Sequence, residues 1–210
     1  MIGVGRLAAD ALLSNGFWMA WNLTLALVPV AFALVLFHRS ERRSLVWWLL
    51  AAVFVAFLPN APYVLTDVIH LVDDARAASA STIVSMAVLS QYAVFFLVGF
   101  EAYVVSLILL GRYLERAGRT TWVLPVELGV HALCAIGIQL GRINRFNSWD
   151  LITRPGHVGR SLGDLDPFLL LLAFAVVTVG YAVMKQVSLA LAAVARNVRP
   201  SPVARLRPRG

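Results

Sequence analysis

The chain has 210 residues, of which 60% are hydrophobic and 14% charged, against roughly 45–50% and 25% in soluble domains. The surplus apolar surface must face lipid, which excludes a cytosolic globular protein. The net charge is +7 and 17 of the 18 basic residues are arginine; they fall in connections and in the C-terminal tail, which suits an anionic membrane surface rather than nucleic acid. The single cysteine, Cys134, excludes an intramolecular disulfide and any CxxC metal or redox motif.

A spanning helix needs about 20 mostly apolar residues. The first stretch, Phe17 to Phe37, is uncharged and contains Pro29. It is too long for a signal-peptide core and lacks a cleavage site, so it is expected to be retained. The second, Leu45 to Leu58, barely spans before Pro59, Asn60, Ala61 and Pro62. Two prolines remove two backbone donors, so a break is predicted near Asn60, which is placed to cap a short helix over Tyr63 to Val72 at the interface or dipping into it. The third, Ile83 to Leu110, is long enough to tilt and contains Gln91 and Glu101; the fourth, Thr120 to Leu140, contains Pro125, Glu127 and His131. The fifth, Phe168 to Met184, follows Asp166 and Pro167, a helix-start pairing, and can run on past Lys185 to Ala195. The expected fold is therefore an all-α polytopic transmembrane bundle of about five spans with a broken second helix. It forms one integral membrane domain over residues 1–195, followed by a disordered basic tail over 196–210, where five Arg mix with three Pro.

Twelve basic residues fall on one face: Arg39, Arg42 and Arg43, then Arg112, Arg116 and Arg119, then Lys185 and the tail arginines. The other face holds six, namely Arg6, Arg76, Arg142, Arg145, Arg154 and Arg160. The positive-inside rule then puts the N-terminus outside and the C-terminus in the cytoplasm. No internal repeat of matching hydropathy halves is visible, so an inverted-repeat transporter has no positive support.

With this topology the segments after the second and fourth spans share the outer side. Asp67 and His70 are three apart and would share a helical face with Tyr63 one turn earlier; Arg142 and Arg145 repeat the spacing. Trp149 suits headgroup depth, as do Trp47 and Trp48 beside Arg42 and Arg43 at the other end. Two readings compete. In one, Asp67 and Asp150 pair with the arginines while Asn60, Asn144 and Asn147 satisfy backbone freed by the broken helix. In the other, the arginines stay partly free to hold a phosphate or carboxylate, and Asp67, His70 or Asp150 exchanges a proton. A metal site is the weaker option, because Asp67 and His70 supply two ligands and only Asp150, Asp73 or Asp74 could add to them. No metal or other cofactor is expected.

A second polar set lies at membrane depth. Glu101, Glu127 and His131 stand about nine, seven and eleven residues from the same end of their spans, depths that agree within a turn or so. Neighbouring antiparallel helices could bring them together as a proton relay or internal ligand site. The alternative is a fastening in which an uncharged Glu bonds His131 or a serine such as Ser106, since neither span carries a basic residue. Cys134, one turn after His131, is read as an inert buried thiol. The Asn22-Leu-Thr24 sequon lies inside the first span and carries no meaning as a glycosylation site. His38 and His157 receive no role.

LPNAPYVLTDVIHL over 58–71 and GIQLGRINRFNSWDLITRP over 137–155 strongly resemble the two signature blocks of a family of bacterial multi-pass membrane proteins, domain of unknown function 1361. GFEAYVVSL over 99–107 resembles a weaker third block. The resemblance covers roughly residues 45–174; Gln139 and Asn144 depart from the more apolar family pattern before the Asn-Ser-Trp-Asp motif. It implies a protein of the bacterial inner membrane and no catalytic residue. Three functions stay open: an accessory or binding protein for an anionic lipid headgroup or a membrane partner, a small enzyme acting on a lipid-linked or phosphorylated substrate, and a transporter or channel subunit. The last needs a polar path to Glu101, Glu127 and His131, and in a five-span chain a homo-oligomer. The shape between the two motif segments discriminates: a sealed cluster, an open pocket or a continuous channel.

Overall fold

The computed structural model describes residues 2–38, 43–146 and 149–198. Among them the chain is almost entirely helical, without a strand, and contains five helices long and apolar enough to cross a membrane, over Ala9–Phe37, Leu45–Ala77, Thr82–Arg116, Thr120–Arg142 and Pro167–Asn197. It is a multi-pass membrane protein.

Helix α1 (Ile2–Ala33) passes Pro29 and ends in a π turn, Leu34–His38. Helix α2 (Leu45–Phe57) starts at Ser44, whose hydroxyl accepts from Trp47 N at 3.3 Å. The second span bends at Leu58 and Pro59, where the prolines were expected to break it. There Asn60 Nδ2 donates to Phe57 O at 2.9 Å, so the side chain satisfies a carbonyl at the break instead of capping a helix N-terminus. The chain continues as α3 (Asn60–Tyr63), a 3-10 turn over Val64–Asp67 and α4 (Val68–Ala77). The segment expected as a short interfacial helix thus runs back-to-back with the next helix, α5, and makes the span 33 residues long.

Helix α5 (Thr82–Arg116) is the central post. Its buried residues Val84, Val88, Tyr92, Phe95, Gly99 and Phe100 recur at helical spacing, and α1 packs along it more extensively than any other pair of elements. A 3-10 turn, Thr120–Trp122, leads into α6 (Val123–Arg142), after which α7 (Asp150–Thr153) and α8 (Pro155–Ser161) lie at the same end as Asp67. Asp166 caps α9 (Pro167–Val198), accepting from Phe168 N and Leu169 N at 2.8 and 3.0 Å as its sequence predicts. Helix α9 takes in Arg196 to Val198, so the first three residues of the tail expected to be disordered are helical; residues 199–210, and Arg39 and Arg42, lie outside the described residues.

Lipid offers little hydrophobic drive between helices, so close packing has to supply the attraction, and glycines permit it. A Cβ at Gly99 would stand 2.8 Å from Val64, one at Gly137 2.6 Å from Pro59, one at Gly141 2.9 Å from Tyr63, and one at Gly180 2.9 Å from Phe100. The pair Gly137 and Gly141, four apart on α6, therefore seats the broken span directly on α6. Trp47 and Trp48, expected together at headgroup level, divide: Trp47 is buried, stacks on Tyr113 and donates to Leu36 O, while Trp48 is exposed.

Candidate functional site

The break in the second span and the glycine pair on α6 bring the two motif segments together. Asp67 ends the 3-10 turn with only 3% of its surface exposed. Arg142, in the last turn of α6, places Nη1 3.5 Å from Asp67 Oδ1, and Asn22 Nδ2 lies 3.4 Å from Asp67 Oδ2. Both contacts are long, and the guanidinium engages through one nitrogen rather than as a two-pronged fork. His70 rests against Trp18 with ring centroids 5.4 Å apart. Tyr63 lies on Gly141.

These residues form one end of a cavity of about 1240 Å³. Trp18, Trp21, Asn22 and Leu25 line it from α1; Trp48, Ala51, Ala52, Val55 and Ala56 from α2; Leu133, Ile136, Gly137, Leu140 and Gly141 from α6. Each set occupies one helical face. At the polar end stand Asn60, Tyr63, Asp67, His70, Arg142 and Arg145, and a second chamber of about 420 Å³, which shares Tyr63, His70, Gly141, Arg142 and Arg145 with the first, also touches Ile69. Arg145 is exposed and adopts φ 56°, a left-handed conformation that side-chain-bearing residues rarely take. No hydrogen bond or ion pair joins it to another described residue.

Asp150 is buried but absent from both cavity linings, with Arg154 Nε at 3.9 Å and Thr153 Oγ1 at 3.4 Å. Asp74 accepts from Asn15 Nδ2 at 2.5 Å and from the Tyr92 hydroxyl at 2.7 Å. Among the described residues no three of His, Cys, Asp or Glu converge as a metal site. Asn147 lies outside the described residues.

The deeper polar set is sealed. Glu127 Oε1 accepts from Tyr181 OH at 2.5 Å and from Lys185 Nζ at 2.6 Å, both on α9. His131 Nδ1 is 2.5 Å from the Tyr103 hydroxyl, and its ring lies 4.9 Å from that of Tyr181. Glu101 takes Ser188 at 2.7 and 2.9 Å rather than joining Glu127, and Ser106 bonds its own helix at Ala102 O. The cation comes from outside the two spans that hold Glu101 and Glu127: α9 extends far enough past Tyr181 to bring Lys185 back onto α6, so Glu127 is ion-paired and not held as an uncharged fastening. Cys134 is fully buried, as expected.

Sequence reasoning missed Asn22, Trp18, Trp21 and Lys185. For α1 a signal existed: Trp18, Trp21, Asn22 and Leu25 share one face, and a lone amide in an apolar span seeks a partner. The site is thus an open pocket between the two motif segments, with the basic groups gathered at one end and apolar walls below. No curated protein and no solved structure matches the chain. The model of the family described as "Protein of unknown function (DUF1361)" matches residues 21–184, which spans both signature blocks and every described residue of the polar mouth, and the chain belongs to that family.

Proposed function

We propose that this protein binds an anionic group of the phosphate or carboxylate class, foremost a lipid headgroup, on the outer face of a bacterial inner membrane. Arg145 carries the reading: it reaches the polar end of the cavity beside Arg142 and His70, and no described residue neutralises it. Among the described residues of that lining Asp67 is the one carboxylate, so two guanidinium charges face one negative charge, and the surplus attracts an anion. The outer assignment rests on the twelve-to-six split of basic residues between the two ends, which puts the N-terminus outside and the C-terminus in the cytoplasm.

The test is native mass spectrometry of the full chain in detergent, titrated with phosphatidic acid and with phosphatidylcholine. Wild type is expected to prefer phosphatidic acid; Arg145→Gln loses the preference at unchanged thermal stability. Equal retention of the two lipids by wild type would overturn the reading.

One observation favours a second reading, an enzyme acting on a lipid-linked phosphate. Asp67 and His70 line the same cavity as the arginines, so a general acid and base would stand beside a bound phosphate. Incubation with phosphatidic acid followed by mass analysis of the lipid tests it, and unchanged lipid removes it. Transport draws less support, because Glu101, Glu127 and His131 are absent from the cavity lining.

A further inference from the structure

The small chamber and the large cavity pose different demands. An inorganic anion needs only the chamber of about 420 Å³ walled by Tyr63, His70, Arg142 and Arg145. That leaves the larger groove, about 1240 Å³ and walled mostly by carbon, with nothing to hold. Such a volume exceeds the roughly 300–1,000 Å³ of small-molecule pockets, and its polar groups stand at one end only.

The groove's length and opening fit a hydrocarbon chain. From Asn60 down to Trp48 is twelve residues of the second span, or about 18 Å at 1.5 Å per residue, slightly more than half of the roughly 30 Å hydrocarbon thickness. Trp48, Ala52 and Ala56 follow at four-residue steps, so small side chains leave the channel open above a tryptophan floor. Helix α6 packs on α3, α5 and α9, while α2 packs on α1. The walls that α2 and α6 contribute therefore face each other across a gap that the bundle itself does not fill, and voids between carbon surfaces forfeit dispersion attraction.

Resting on the anion reading above, we infer that the ligand is a lipid: its anionic head sits between Arg142, Arg145 and His70, and one hydrocarbon chain lies in the groove of α1, α2 and α6, entering sideways between α2 and α6. Charge complementarity selects the head and the apolar walls select the chain. Neither part alone fills the site.

The test separates the two claims. The full chain in detergent is titrated with dioleoyl phosphatidic acid and, separately, with glycerol 3-phosphate, the same anion without chains. Phosphatidic acid is expected to bind at one copy and at least about tenfold more tightly, a difference of about 1.4 kcal/mol. Ala56→Phe puts a ring into the groove away from the arginines; it should weaken phosphatidic acid about tenfold and leave glycerol 3-phosphate unaffected. Ala52→Phe, at an exposed position one turn earlier, gives an independent reading should Ala56→Phe fail to accumulate. Arg145→Gln should weaken both ligands. Equal affinity for the two ligands, or lipid binding indifferent to both groove substitutions, overturns the chain in the groove while the anion site stands. Indifference of both ligands to Arg145→Gln overturns the anion site itself.

Discussion

Glu127 has a hydroxyl and an ammonium within 2.6 Å of one oxygen, whereas Asp67 has its nearest guanidinium nitrogen at 3.5 Å and a second arginine nearby with no described partner. Both carboxylates are buried in a membrane protein, and both are held by residues from other helices. The first set closes its charge account; the second leaves a positive remainder in an open cavity. Burial of a charge is therefore a poor guide to function in such a protein. The unbalanced charge at an accessible place is the better one.

Breaking the sealed set should hurt stability most. Lys185→Met leaves Glu127 without its cation and should cost about 3–5 kcal/mol, read as a lower unfolding midpoint in detergent, with Glu127→Gln added to it restoring most of the loss. A neutral outcome for Lys185→Met would erase the contrast. Next comes the seat that holds the open site together. Gly137→Val drives a side chain into Pro59 and should cost about 1–3 kcal/mol and lower membrane accumulation. Gly129→Val, where an added Cβ meets nothing within 4 Å, is the matched control and should accumulate normally.

Two arginines sharpen the comparison further. Arg142→Gln strips Asp67 of its ion pair and should lower stability by about 1–2 kcal/mol, recovered in part by Asp67→Asn, while also weakening phosphatidic acid binding. Arg145→Gln should change stability by less than about 0.5 kcal/mol. Its effect is on binding, and since the side chain is exposed, the wild-type preference for an anion should shrink as salt rises from about 0.05 to 0.5 M. A destabilised Arg145→Gln would place Arg145 in the structural class with Lys185.

Much of this was legible from the residues. Lipid's intolerance of unpaired backbone fixes helices from hydropathy alone, and the Asp166-Pro167 start and the Pro59 break came from chemistry confined to neighbouring residues. That Asp67 and Arg142 lie at the same end followed from topology, since the second and fourth spans run in the same direction. What could not be read was lateral order. Nothing in α9 announces that Lys185 faces Glu127 rather than headgroups, and nothing in α1 says that Asn22 faces Asp67. Rotation of a helix about its axis is decided by side-chain packing among all its neighbours, here by the close seats at Gly99, Gly137, Gly141 and Gly180. The glycines are visible in the sequence, their partners are not. The fate of Trp47, drawn inward by Leu36 O and Tyr113, shows the same limit for interfacial aromatics.

The gap between α2 and α6 also fixes what the word concentration means here. A ligand arriving through water would meet the protein at its molarity in the surrounding medium. A ligand arriving sideways is already dissolved in the bilayer, so occupancy follows its mole fraction in one leaflet, and the common lipids of that leaflet compete for the same slot at every moment. Discrimination then depends almost entirely on the head, because every competitor brings a tail.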